Sequence, residues 1–124
     1  MKNVIEIQNL NKSFGQVKAV QDLSFKVKEG ELFAFLGVNG AGKSTTISVI
    51  CGTLEKDSGS VFINGKSIEE QDKSAVRSLG VVFQNSVLDK ALTVYDNLES
   101  RASLYKIFGE QFKSRLNELI DMLD

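Results

Sequence analysis

A glycine-rich run between an apolar segment and a helical pattern constrains the fold of this chain more than any other feature. Residues 37–45 read GVNGAGKST and directly follow the apolar run ELFAFLG at residues 31–37. Beyond Lys43, apolar residues recur at positions 47, 50, 51 and 54, the period of a helix that ends near Gly52. Strand, glycine loop and helix in this order are the context that the pattern G-x-x-x-x-G-K-[ST] requires. The segment therefore predicts an α/β fold built around a phosphate-binding loop.

Each residue type in this loop suits phosphate chemistry. Glycines let the backbone curl so that successive N–H groups point at phosphate oxygens, and the following helix adds the positive end of its dipole. Lys43 is predicted to contact the β- and γ-phosphates, Ser44 to be a ligand of Mg²⁺, and Thr45 to reach the α-phosphate. A glycine turn that merely caps a helix is the simpler interpretation, and it is disfavoured because the whole spaced pattern is matched. The predicted nucleotide-binding residues of the loop are Gly37, Val38, Asn39, Gly40, Ala41, Gly42, Lys43, Ser44 and Thr45.

The remaining pattern predicts one unit, residues 1–124, that begins with strands and ends with helices. Residues 1–36 and 60–66 are predicted to be mainly β, with 31–37 as a strand covered on both faces and a hairpin turn at Asn64-Gly65. Residues 37–54 form the loop and its helix, and 79–84 a short buried strand leading to Gln84. Residues 93–124 are predicted to be helical, beginning with a capping box from Thr93 to Asp96. The last helix carries an apolar stripe of Phe112, Leu116, Leu119, Ile120 and Leu123.

Composition narrows the classes of partner. The 15 basic and 16 acidic side chains give a net charge of -1, so there is no whole-chain basic field to attract nucleic acid, and no nucleic-acid partner is expected. The single cysteine, Cys51, cannot form an internal disulfide, and the first residues lack the pattern of a signal peptide. No apolar run approaches the roughly 18 residues of a membrane span. A cytoplasmic location is therefore predicted, with any membrane role acting through a partner.

From Val4 to Asp124 the sequence resembles the nucleotide-binding subunit of ATP-binding cassette (ABC) transporters. The resemblance rests on four segments in order: NKSFGQVKAVQDLSF, LGVNGAGKSTT, DSGSVFING and VVFQNSVLDKALTVYDNL. It implies a P-loop NTPase core with an N-terminal antiparallel β subdomain and the start of an α-helical subdomain. The run QNSVLDKALTVYDNLESRASLY is most similar to the bacterial drug-export branch. The family frequently has proline at position 38, where this chain has Val38, and only backbone and shape are used there.

The resemblance also implies functional residues and partners. Phe14 would stack on adenine, although a lone aromatic is more often a core residue. Gln84 would be the glutamine that coordinates Mg²⁺ and orients the attacking water, although a glutamine after a strand is usually a polar cap. Lys43 and Gln84 are thus the predicted catalytic residues, and Ser44 and Gln84 the predicted metal ligands. The implied partners are Mg²⁺-ATP, a membrane-spanning subunit and a second ATP-binding subunit, at the inner face of the cell membrane.

Several of the family's later motifs do not occur in these residues. There is no serine-glycine-glycine-glutamine signature, no four-residue apolar run leading into Asp-Glu, and no histidine. The resemblance therefore implies a truncated domain, roughly its first half, that binds ATP without hydrolysing it. Two alternatives stay open. One is a soluble ABC protein that acts on ribosomes or DNA without a membrane subunit, and the other is a small P-loop kinase, disfavoured because Arg77, Arg101 and Arg115 do not cluster.

Overall fold

The chain forms two compact units, residues 1–81 and 82–124. The computed structural model describes residues 2–35, 41–82 and 86–123, with the backbone but not the side chain of Ala41. The first unit contains strands β1 (Asn3–Phe14), β2 (Val17–Lys28), β3 (Ser58–Ile63) and β4 (Lys66–Ser67) with helices α1 (Ala41–Ile50) and α2 (Ser74–Arg77). The second contains α3 (Val94–Ser103) and α4 (Gly109–Leu123). An α/β composition is thereby confirmed.

The strands of the first unit form one antiparallel sheet in the order β2-β1-β3-β4. Alternating apolar residues of the central strands face α1, so that Leu10, Val49 and Val61 are fully buried. This apolar contact is the main source of stability of the unit, because each buried aliphatic side chain contributes roughly 1.5 to 3 kcal/mol. The buried cluster consists of Ile7, Leu10, Val20, Val49, Ile50, Val61, Ile63, Ile68 and Ala75.

Two local predictions are confirmed in this sheet and its helix. The turn between β3 and β4 is Asn64-Gly65, whose φ angles of 51° and 80° are both positive, as a type I′ hairpin requires. Helix α1 ends at Ile50, close to the predicted end at Gly52. Its buried face differs from the prediction, because Thr46 and Val49 are buried while Ile47 is 45% exposed. The helical period was predicted correctly, but the face of α1 that packs on the sheet includes buried threonines in place of Ile47.

The two buried strands predicted from apolar runs do not form in the described residues. Segments 31–35 and 79–82 have no regular structure, and Leu32 and Val82 are 99% and 98% exposed. A strand needs a neighbouring backbone for its hydrogen bonds, and neither described segment pairs with the sheet. Segment 31–35 is held by aromatic packing instead, because the Phe33 ring stacks on Phe25 at 4.9 Å and 9°. Leu36, Gly37 and Phe83 lie outside the described residues.

A bulge bends β1 where it passes β3. The register of the β1–β3 pair shifts between Gln8 and Asn11, and Asn9 has a left-handed φ of 50°. The Asn9 backbone N–H donates to Ser24 Oγ at 2.9 Å, and its side-chain amide donates to Asp22 at 2.7 Å. Gly59 faces the bulge with φ +93°, and a Cβ at this position would overlap the Asn9 carbonyl group. The bulge therefore requires glycine at position 59 for both backbone angle and space.

A helix cap at Thr93 and the buried side-chain amide of Asn97 hold the start of α3 in the second unit. Thr93 caps α3, its side-chain oxygen accepting the Asp96 N–H at 3.0 Å as predicted. Asn97, 8% exposed, accepts from the Asp89 N–H at 2.8 Å and donates to the Asp89 carbonyl at 3.0 Å and the Thr93 carbonyl at 2.9 Å. These bonds fix the segment that precedes α3 to the helix. The sequence pattern had not singled out Asn97.

The predicted last helix is confirmed, but its apolar stripe is only partly buried. Phe112 is 5% exposed and meets Tyr95 edge to face, with ring centroids 5.4 Å apart. Ile120 and Leu123 are 52% and 84% exposed. None of the helices in the described ranges is long and apolar enough to cross a membrane.

The bulge yields a stability prediction for Gly59→Ala. The substitution should lower the free energy of unfolding by about 3 kcal/mol, because it combines a left-handed backbone with overlap of the Asn9 carbonyl. Gly65→Ala is the matched control, since Gly65 also has a positive φ, +80°, but an added Cβ there meets nothing within 4 Å. That control should lose only about 1 kcal/mol. Urea unfolding midpoints measure both, and equal shifts would contradict the proposed role of the bulge.

Candidate functional site

The start of α1 carries the residues that the motif predicts to hold phosphate. Gly42, Lys43 and Ser44 lie in the first turn of the helix, which contains no acidic residue. The first N–H groups of a helix have no partner within it and concentrate positive potential there. Because this first turn contains no acidic residue of its own, it has the electrostatic character that an anion requires.

Gly42 also has a packing role. A Cβ at Gly42 would lie 2.8 Å from the carbonyl oxygen of Ala19 in β2, which is too close for any side chain. The glycine therefore lets the start of α1 approach the sheet. The motif alone predicted Gly42 only as part of a curled loop, and the contact with Ala19 adds a second reason for glycine at this position.

The three hydroxyl residues after Lys43 differ in exposure. Ser44 is exposed, whereas Thr45 and Thr46 are 6% and 1% exposed. The Thr46 hydroxyl donates to the Gly42 carbonyl at 2.7 Å, which satisfies it within the helix. Of these residues, Ser44 is therefore the one whose hydroxyl is accessible to a metal ion from solvent. Its role as a Mg²⁺ ligand remains a prediction.

The Phe14 ring lies at the end of β1, next to the tight turn into β2. Phe14 pairs with Val17 across the hairpin and is 45% exposed, so it is not a core residue. The Nζ atom of Lys12 lies 5.3 Å from the centroid of its ring. Lys12 in turn lies 3.5 Å from Asp57, just before β3. Sequence reasoning did not find Lys12 or Asp57, although the charge two residues before Phe14 was a visible signal.

Other predicted residues lie outside the described residues or carry no catalytic chemistry. Gly37, Val38, Asn39 and Gly40 of the loop, and Gln84, are outside the described ranges, so their roles remain predictions. Burial raises the pKa of the Cys51 thiol, directly after α1, so that less of this thiol is in the nucleophilic thiolate form at neutral pH. Within residues 2–35, 41–82 and 86–123, no group of three or more His, Cys, Asp or Glu is placed to hold a metal ion.

Comparison with known proteins identifies the family. The model of the ABC transporter family matches residues 20–124. The chain is 37% identical over all 124 residues to YhcH of Bacillus subtilis, an uncharacterized ABC transporter ATP-binding protein. It is 36% identical over 95% of its length to the linearmycin resistance ATP-binding protein LnrL of the same organism. It is 34% identical over 96% of its length to the sulfate/thiosulfate import ATP-binding protein CysA of Mesostigma viride. The chain spans 41%, 38% and 34% of these three proteins, respectively.

Similarity to solved structures indicates the same family. An ATP-binding subunit of an ABC transporter superimposes with a TM-score of 0.82 at 30% identity, covering 95% of this chain and 49% of that one. The protein cbiO1 of Clostridium perfringens, part of the ABC transporter complex cbiONQ, gives 0.78 at 25% identity, covering 98% and 50%. The alternative of a separate P-loop kinase is thereby set aside. Because family model, relatives and fold all agree, the chain belongs to the ABC transporter family and is related to its ATP-binding proteins.

Proposed function

We propose that this chain binds Mg²⁺-ATP as part of the ATPase that powers export through an ABC transporter. The observation that carries the proposal is the first turn of α1, which contains Lys43 and an exposed Ser44 and has no acidic residue. This donor set fits the phosphates of a nucleotide. Family membership supports ATP as the nucleotide and ATPase activity as the chemistry of the whole protein.

Each proposed residue has a separate task. Lys43 supplies a positive charge to the β- and γ-phosphates, and the amides of residues 37–45 bind phosphate oxygens. Phe14 supplies a half-exposed ring for the adenine base. Bound Mg²⁺ would offset phosphate charge, with Ser44 and Gln84 as its proposed protein ligands. Lys43 and Gln84 are the proposed catalytic residues, Gln84 by orienting a water molecule.

The proposed partners follow from the family. Because cbiO1 is part of a transporter complex, we propose that the protein containing this chain also assembles with a membrane-spanning subunit and a second ATP-binding subunit. Its place would then be the cytoplasmic face of the membrane, reached through that partner. The nearly balanced charge supports a protein partner over nucleic acid.

Lys43→Ala tests the phosphate site. The variant should weaken ATP binding roughly 10- to 100-fold, because a charge-assisted contact contributes about 1.5 to 3 kcal/mol, and should weaken AMP binding less. Lys113→Ala, a surface lysine of α4 paired with Glu110 at 3.6 Å, is the control and should bind ATP normally. Isothermal titration with Mg²⁺ measures both. Unchanged ATP affinity in a folded Lys43→Ala variant would contradict the site.

Turnover provides a second prediction. A polypeptide of these 124 residues should release phosphate from Mg²⁺-ATP only at the uncatalysed rate, because it has no histidine and no apolar run into Asp-Glu to supply a general base. The full-length protein with its transporter partner is the positive control. Turnover by the short polypeptide that rises with its concentration and disappears in Lys43→Ala would contradict the prediction. Glu99 and Asp96 would then be the first carboxylates to substitute.

The direction of transport is the narrowest part of the proposal. Similarity to the linearmycin resistance protein supports export, whereas a sulfate/thiosulfate import protein is 34% identical to the chain. A measurement of transport in cells is therefore needed to distinguish export from import. Cells with a chromosomal Lys43→Ala substitution should accumulate more of an apolar fluorescent drug than the parent strain. Loss of sulfate uptake in that strain, with drug accumulation unchanged, would contradict export.

A further inference from the structure

A chain of contacts runs from Asp57 through Lys12 to the Phe14 ring. Asp57 Oδ1 lies 3.5 Å from Lys12 Nζ, and Lys12 Nζ lies 5.3 Å from the centroid of the Phe14 ring. A cation within about 6 Å of an aromatic centroid is attracted by the negative face of the ring. One face of the Phe14 ring is therefore occupied by a charge that belongs to the protein.

Asp57 is fixed firmly enough to hold that charge in place. Its backbone N–H donates to the Asn11 carbonyl at 2.9 Å, and its Oδ2 accepts the Ser13 N–H at 2.7 Å. Together with the Lys12 contact, Asp57, which directly precedes β3, thus touches three consecutive residues of β1. It extends the pairing of these strands beyond their last matched residues, Asn11 and Ser58.

Lys12 is held tightly for a lysine. Its side chain is 14% exposed, although the carboxylate that it meets is 47% exposed. Most surface lysines keep their charged end in water and sample many rotamers. Here the long side chain lies between Asp57 and the Phe14 ring, and the residue Phe14 remains 45% exposed. The exposed remainder of the ring is available to a ligand.

We propose that Lys12, held by Asp57, is a positioning residue that presents one face of Phe14 to the nucleotide base. This inference rests on the proposed stacking of adenine on Phe14. A ring already fixed by a cation loses less freedom when a base stacks on it, and the cation draws electron density from the ring toward itself. Both effects favour an electron-rich heteroaromatic base on the opposite face.

A positioning role of Lys12 and a general effect of its charge differ in which ligands they affect. If Lys12 acts through Phe14, its removal weakens only ligands that carry a base. If Lys12 acts as a general positive charge for phosphates, its removal weakens tripolyphosphate and ATP alike. Comparing these two ligands therefore separates positioning of the ring from phosphate attraction.

The test uses the full chain, with Mg²⁺-ATP and Mg²⁺-tripolyphosphate as ligands in isothermal titration. Lys12→Met keeps an unbranched side chain without the charge, and Asp57→Asn keeps an acceptor for the Ser13 N–H without the charge. Each should weaken ATP about three- to tenfold and leave tripolyphosphate unchanged. Lys12→Arg should retain ATP affinity, because guanidinium also binds an aromatic face. Lys26→Met, which breaks the Lys26–Glu6 pair of 3.6 Å, is the matched control and should change neither ligand.

Combination with Phe14→Ala completes the test. Phe14→Ala should itself weaken ATP but not tripolyphosphate, and adding Lys12→Met to it should cause no further loss. Additive losses, equal loss for both ligands, or unchanged ATP binding in Lys12→Met would each overturn the positioning role while leaving stacking intact. Unchanged ATP binding in Phe14→Ala would instead overturn the proposed stacking, and the positioning role with it.

Discussion

The contact between α1 and the sheet is the interaction on which the first unit depends. Val49 of the helix is fully buried in a cluster with Leu10 and Val61 of the sheet, and the lack of a side chain at Gly42 lets the start of the helix approach Ala19. A helix is stiff over ten residues, so the buried residues of its middle also fix its first turn. The position of Lys43 and Ser44 is thus a consequence of apolar packing further along the same helix.

Features that depend on neighbouring residues were predictable, and those that depend on distant segments were not. The Thr93 cap and the Asn64-Gly65 turn require residues only a few positions apart, and both form as predicted. The strands predicted at 31–37 and 79–83 need partner backbones elsewhere, which an apolar run does not specify. The described residues 31–35 instead rest on Phe25 through Phe33.

The candidate site follows the same rule. The glycine-lysine-serine pattern indicated the phosphate-binding turn because its chemistry lies within consecutive residues. The contact between Lys12 and Asp57 was not predictable, since these residues are 45 positions apart and meet only after the bulge of β1 sets the register. The packing role of Gly42 was hidden as well, because it depends on the Ala19 carbonyl of another strand.

The hydrogen bonds of Asn97 determine how the chain around it can vary. Among the described residues, the side chain of Asn97 bonds to backbone atoms, those of Asp89, Leu92 and Thr93. An aspartate at position 97 would lose the donors, and a glutamine would place its amide one methylene too far, so this position is narrowly restricted in sequence. The exposed side chains of Lys90 and Leu92 take no part in these bonds, unlike the Thr93 hydroxyl, which caps α3. They can therefore vary while the path of their backbone is retained, so that the chemistry of this surface can change without a change in the fold of the segment.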